Sequence, residues 1–201
     1  MKKCLTMLLS LLLVCSACFA EDAVTSATLK IETLPVVEAQ ENGILVVYFS
    51  PDDTTRAAAY AVAAALSAEL FEIVPEELYT ADDLNYFNSQ ARSMAEMKDN
   101  AARPAIAALP EDLSGYDTIL LGYPIWGGQA PKIISTFLEN TDLSGKTVIP
   151  FCTSNSSGIG SSATNLHGLT DDSAVWKDGG RIKKGWTTED IIAWVRELDI
   201  R

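Results

Sequence analysis

Two apolar runs constrain the fold of this chain more than any other feature. Ile44-Leu-Val-Val-Tyr-Phe49 is β-branched and aromatic, and Thr118-Ile-Leu-Leu121 is bounded only by Asp117 and Gly122. Neither run alternates with polar residues, so neither can leave one face in water. Each reads as a strand covered on both sides. Strands of that kind belong to parallel sheets sandwiched between helices.

The rest of the chain keeps to that alternation. Arg56 to Leu66 is an Ala-rich helix, and Leu70-Phe-Glu-Ile-Val74 is a second strand stopped by Pro75. Leu84, Phe87, Ala91 and Met94 recur at helical spacing, which predicts an amphipathic helix over Asp82 to Lys98. Pro131 suits the first turn of a helix that runs to Asn140. Thr147-Val-Ile-Pro-Phe-Cys152 is a fourth strand, Ser161 to Leu166 a short helix, and Ala174 to Arg181 a more polar fifth strand. Thr187 and Asp190 form a capping-box-like start for a last helix, whose inner face is Ile191, Val195 and Leu198 with Trp194 alongside. Five strands alternating with helices predict an α/β fold, a doubly wound parallel sheet with helices on both faces.

The first 42 residues read differently. Met1-Lys2-Lys3, an apolar run from Leu5 to Val14 and the small-residue end Cys15-Ser-Ala-Cys-Phe-Ala20 predict a secretory signal peptide over 1–20. Cleavage after Ala20 is one route. The other is a lipoprotein signal that leaves a lipidated Cys18, the single membrane attachment this sequence suggests. Without a twin arginine before the apolar run, export is of an unfolded chain, and any cofactor is acquired outside. Residues 21–42 are rich in Ala, Thr, Val and Glu and read as a linker, leaving 43–201 as the domain.

The formal net charge is −12 in 201 residues, and loss of Lys2 and Lys3 with the signal would make it more negative still. Such a surface disfavours nucleic acid and anionic lipid headgroups. Of four cysteines only Cys152 lies beyond the signal, which excludes a disulfide framework and a cysteine-rich metal site.

Chemistry concentrates in three loops that follow strands one, three and four. They are Ser50-Pro-Asp-Asp-Thr-Thr55, Tyr123-Pro-Ile-Trp-Gly-Gly-Gln-Ala130 and Thr153-Ser-Asn-Ser-Ser-Gly158. In open α/β sheets ligands bind just past the carboxyl ends of strands. The first loop opens a helix, whose free amides suit an anion. Trp126 offers a flat face for stacking and Gly127-Gly128 let backbone amides approach a ligand edge; the alternative is a tryptophan that plugs its loop or faces a partner.

These pieces, with Val47-Tyr-Phe-Ser50, Thr55-Arg56, Leu113-Ser-Gly-Tyr-Asp117, Gly122-Tyr-Pro-Ile-Trp126 and Leu143-Ser-Gly-Lys-Thr-Val-Ile-Pro-Phe151, make the chain from Gly43 onward resemble a flavodoxin, more narrowly the short flavodoxin-like branch common in bacteria. The resemblance implies strand order 2-1-3-4-5 and FMN at the switch between strands one and three; flavodoxin is itself the standing example of that rule. It implies phosphate contacts from Ser50, Thr54 and Thr55, and packing of Pro124, Ile125 and Trp126 near the isoalloxazine. Thr153, Ser154, Asn155 and Gly158 would line the pyrimidine side. A Gly127-Gly128 peptide able to flip would serve the flavin N5. Electron transfer through FMN follows, as a carrier or a small reductase, with a redox partner protein or a small-molecule acceptor. The family loop reads Ser-x-Thr-Gly-Asn-Thr, whereas this chain has Asp52 and Asp53 in place of the threonine and the glycine. A flavodoxin-like binding module that has lost FMN is therefore the alternative.

Other motifs read more plainly. A phosphorylatable aspartate would be needed at the end of strand three for a receiver domain, and Gly122-Tyr-Pro-Ile stands there instead. Gly158-Ile-Gly-Ser-Ser-Ala163 matches a dinucleotide pattern but follows the fourth strand. His167 with Cys152 is a candidate nucleophile pair against the plainer reading of a buried cysteine, and Asp171-Asp172 reads as a turn.

Overall fold

In this computed structural model the described residues are 43–198 and 200. The signal peptide over 1–20, Cys18 and the linker over 21–42 lie outside them. Five segments build the centre: β1 (Ile44–Tyr48), β2 (Glu69–Glu72), β3 (Thr118–Pro124), β4 (Thr147–Thr153) and a fifth position shared by β5 (Val175–Trp176) and β6 (Gly180–Ile182). The order is β2-β1-β3-β4-β5, with β6 also on β4, and every pairing is parallel. This is the doubly wound order 2-1-3-4-5. All seven residues of β3 are buried, as an uninterrupted apolar run requires.

Alternate residues of these strands feed two cores. Val46, Tyr48, Leu120, Ile149 and Phe151 pack under α1 (Thr54–Leu66) and α4 (Thr188–Glu197), which contribute Ala59, Val62, Ile191 and Val195. Leu45, Val47, Phe49, Ile119, Leu121 and Tyr123 face the other way. They pack on α3 (Lys132–Glu139) through Ile133, Ile134, Phe137 and Leu138. Each such side chain is worth about 1.5–3 kcal/mol of burial. The Thr187–Asp190 capping box is present at the start of α4, with Asp190 N–H donating to Thr187 Oγ1 at 3.2 Å. No helix among the described residues is long and apolar enough to cross a membrane.

Three elements differ from the sequence reading. The helix expected over Asp82 to Lys98 is confined to α2 (Arg92–Lys98). Upstream, side chains take the backbone amides that a helix would need. Phe87 N–H donates to Asn85 Oδ1 and Gln90 N–H to Asn88 Oδ1, at 3.1 and 3.0 Å. Such local bonds compete directly with helix formation. Phe87 is consequently 84% exposed instead of lying on a core face.

The fifth strand is broken. Lys146 and Val148 accept from Val175 and Lys177 N–H on its side of β4. Pro150, next on that side, has no N–H to offer, and the partner register slips by one residue before β6 resumes at Gly180. Gly179 passes so close that a Cβ there would lie 1.6 Å from the Pro150 carbonyl oxygen. The short helix expected at Ser161 to Leu166 is two 3₁₀ segments, Gly160–Ser162 and Thr164–Leu169.

Gly122 marks a close approach between β3 and β4: a Cβ on it would come within 2.2 Å of the Phe151 ring. Gly122→Ala should therefore destabilise the protein by about 1–3 kcal/mol or more. Urea unfolding followed by tryptophan fluorescence measures this, and the Gly122→Ala, Phe151→Leu pair should recover part of the loss.

Candidate functional site

Because β1, β3 and β4 run parallel and end level, their three following loops emerge together. They wall a cleft of about 900 Å³ at the carboxyl edge of the sheet. Its other wall is helical: Ala57, Ala58 and Ala61 of α1, Ile191 of α4, and Met94 of α2. That size falls within the range of small-molecule and cofactor sites.

The loop after β1 forms one end. Asp53 adopts φ 63°, the left-handed conformation that the resembled glycine would take freely. An aspartate tolerates it better than most residues do. Its side chain is 76% exposed and pairs with the Arg56 guanidinium, which also holds Glu72 at 2.5 Å. Asp52 behaves differently. It lines the cleft, and its Oδ1 accepts from Thr54 N–H at 3.1 Å, occupying an amide at the start of α1. Ser50 is buried and its Oγ accepts from Arg56 N–H at 2.9 Å.

Thr55 and Thr153 join the first loop to the third: their hydroxyls share a buried hydrogen bond at 2.8 Å. Thr54, Thr153, Ser154 and Asn155 line the cleft, whereas Ser50, Thr55 and Gly158 are not among its lining. The Ser154 hydroxyl donates to the Ser157 carbonyl and tightens that loop.

The middle loop is a small hairpin. Trp126 and Gln129 exchange both backbone hydrogen bonds at 2.9 Å, with Gly127 and Gly128 between them at φ 55° and 83°. Positive φ at both central positions is the type I′ turn, which needs glycine or asparagine. Gln129 is held from below, donating to Ser161 Oγ at 3.4 Å and accepting from Asn165 Nδ2 at 2.7 Å. Pro124, Ile125, Trp126 and Gly127 line the cleft; Gly128 is not among its lining. The Trp126 ring is half-buried and braced edge-to-face by Phe49 at 5.8 Å and Tyr79 at 5.4 Å. Of the two readings the sequence left open, this packing is the loop-plugging contact, made by a ring that also lies on the cleft lining.

Sequence reasoning did not anticipate the far wall. Lys183, Lys184, Gly185 and Trp186, between β6 and α4, line the same cleft, as do Leu84 and Tyr86. The position of Lys183-Lys184 just past a fifth strand was a readable signal, obscured by the break in that strand.

Other candidate groups are placed apart. Cys152 is fully buried in β4 and burial pushes its thiol up to about 11. His167 is exposed and stacks on Trp176 at 4.6 Å. Asp171 accepts from Ser173 N–H and Oγ at 2.8 and 2.6 Å, a turn interaction. A raised thiol pKa leaves roughly one part in a thousand as thiolate at pH 8. Native protein should accordingly resist iodoacetamide at that pH, reacting faster as pH rises toward 11, while the denatured chain reacts at once; mass spectrometry reads both.

An open parallel α/β sheet with a loop-built cleft at its β1/β3 switch point defines a ligand-binding doubly wound protein. The flavodoxin family model matches residues 43–198, and the chain belongs to that family. It is 42% identical to a protein from Bacteroides eggerthii provisionally described as a flavoprotein, covering 79% of this chain and 98% of that one with a TM-score of 0.73. A similarly described protein from Bacteroides uniformis is 41% identical, over 77% and 97% of the two chains, with a TM-score of 0.73. A flavoprotein from Lactobacillus acidophilus, solved in complex with FMN, shares the fold at 24% identity and a TM-score of 0.56, over 75% and 97%. Among curated proteins nothing matches the chain.

Proposed function

We propose that this chain binds FMN in the cleft and uses it for electron transfer, as a carrier or a small reductase, outside the cytoplasm. The observation that carries the reading is the cleft itself, walled by loops from β1, β3 and β4 at the switch point, with Trp126 on its lining beside a glycine turn. The FMN complex of the Lactobacillus acidophilus protein, which has the same fold, supports the choice of ligand. The residues fit such a group: an aromatic face, a turn free of Cβ atoms and hydroxyls from Thr54, Thr153 and Ser154 meet in one cleft. FMN, when bound, supplies the redox chemistry.

The chain's own part is positional. Trp126, braced by Phe49 and Tyr79, presents a fixed surface to a flat ring. The Gly127-Gly128 turn leaves its peptides free of side-chain contacts, so a peptide there can turn toward a ligand nitrogen. Thr55 and Thr153 keep the two flanking loops at a fixed spacing through their shared hydrogen bond. The electron partner is a protein or a small-molecule acceptor.

The second reading, a binding module without FMN, is favoured by one contact: the Asp52 carboxylate on the Thr54 amide, where a phosphate would be received. Titration with FMN separates the two. Protein that co-migrates with flavin absorbance supports the carrier or reductase; a folded, colourless protein supports the module. Asp52→Thr with Asp53→Gly should tighten FMN binding by about tenfold or more, with much less effect on riboflavin, because the change acts on the phosphate contact alone.

Export rests on the Lys2-Lys3 and leucine-rich start ending in small residues. Mass spectrometry of the native protein should find Glu21, or a lipidated Cys18, as its first residue. An intact Met1 on the mature protein would reject the proposal.

A further inference from the structure

Asp52 occupies the Thr54 amide at the start of α1, yet the cleft it borders is not purely acidic. The N-termini of two helices open on it, α1 at Thr54 and α4 at Thr188. The first amides of any helix lack partners within it. Here Asp52 takes the amide of Thr54, and the capping box of α4 takes that of Asp190. Between the two helix starts, on the segment that joins β6 to α4, stand Lys183 and Lys184.

Both lysines line the cleft together with Pro51, Asp52, Thr54 and Thr188. Both side chains are exposed, and neither takes part in an ion pair among the described residues. Lys183 Nζ lies 6.0 Å from the centre of the Trp186 ring, and the Lys183 carbonyl accepts from Trp186 N–H at 3.1 Å. Other acids are engaged elsewhere or are not part of the cleft lining, Asp178 among the latter. Asp190 accepts from Thr187 N–H and Oγ1 at 2.9 and 3.1 Å, Asp53 is paired with Arg56, and Glu189 is not among the cleft lining. Asp52 is the acid that shares the cleft. The positive-φ glycine Gly185 (φ 86°) turns the chain directly after the lysines, which sets them at the lip, ahead of the helix start.

We propose that Lys183 and Lys184 form a cationic subsite for the phosphate monoester of the bound flavin. They supply from the β6–α4 segment the complementarity that Asp52 withdraws from the β1–α1 loop. The proposal rests on FMN binding in this cleft. The flavin phosphate then lies between the two helix starts, with the lysines on one side and the Thr54 hydroxyl on the other. Its dianionic charge meets a local positive potential within an acidic protein. Lysine suits this role as a flexible point charge, without the fixed fork of arginine. Asp52 tunes the same subsite in the opposite sense, and its grip on the Thr54 amide is released as the phosphate arrives.

The test compares FMN with riboflavin, which lacks the phosphate, by fluorescence titration of the whole protein. Lys183→Gln with Lys184→Gln should weaken FMN binding by about tenfold and change riboflavin binding by less than about twofold. Inorganic phosphate should compete with FMN in the native protein and much less in the variant. The FMN constant of the variant should also fall less steeply with added salt. Lys183→Arg with Lys184→Arg retains the charge and should retain most of the affinity. Equal losses for FMN and riboflavin would overturn the proposal, since they would mean a lip that touches the ring or a disturbed fold. An unchanged FMN constant would overturn it too, while leaving FMN binding in place. If native protein binds riboflavin and FMN equally well, the ring site stands and the phosphate subsite falls. If it binds neither, both proposals fail together.

Discussion

The contact between Gly122 and the Phe151 ring governs where the ends of the sheet fall. β3 and β4 are buried over almost their whole length and are joined by a parallel backbone ladder from Thr118 and Thr147 to Pro124 and Thr153, so side-chain packing between them must fit that fixed spacing. With hydrogen in place of a side chain at Gly122, the far end of the phenyl ring of its direct partner takes the space a Cβ would fill. A rigid interior transmits that register. Tyr123 then sits beside Cys152 and Pro124 beside Thr153, and the loops that follow leave the sheet at one level. Ile125 N–H bonding the Thr153 carbonyl at 2.9 Å, and Thr55 bonding Thr153 through their hydroxyls, extend the same alignment into the loops. The cleft exists because three strand ends agree.

Electrostatics in the cleft are local and do not follow the net charge. A formal charge of −12 describes the whole surface and its behaviour toward polyanions. At the cleft, individual acids are spoken for. Asp53 leans out to Arg56, Asp190 closes the capping box, and Asp52 alone turns toward the amides of α1. Screening confines exposed charges to about 10 Å at 0.1 M salt, so neighbours count for more than totals. An acidic protein can thus hold a locally cationic rim where a loop such as Lys183-Lys184 enters the cleft.

Much of the fold could be read from residues alone, for reasons visible in particular segments. Ile44 to Phe49 and Thr118 to Leu121 carry no polar alternation, and a run of that kind is stable only between two layers. The last helix announced its start through Thr187 and Asp190, since a capping box is a bond between residues three apart. The Asp82 to Lys98 pattern misled because Asn85 and Asn88 offer the backbone closer partners than a helical turn does. The fifth strand misled for a nonlocal reason: its break is caused by Pro150, on a neighbouring strand.

The division between the two kinds of information follows the range of the forces. From the sequence alone came the strand and helix alternation, the family resemblance and the three loops worth watching, because periodicity and turn chemistry act within a few residues. Tertiary structure alone decided that Asp53 points away from the cleft while Asp52 points in. It alone decided that Trp126 is braced by Phe49 and Tyr79, and that Lys183, Lys184 and Thr54 line one cleft. Trp126 meets rings from two other segments, and Lys183 and Lys184 share a cleft with Thr54 from the far end of the chain; no local pattern carries those distances.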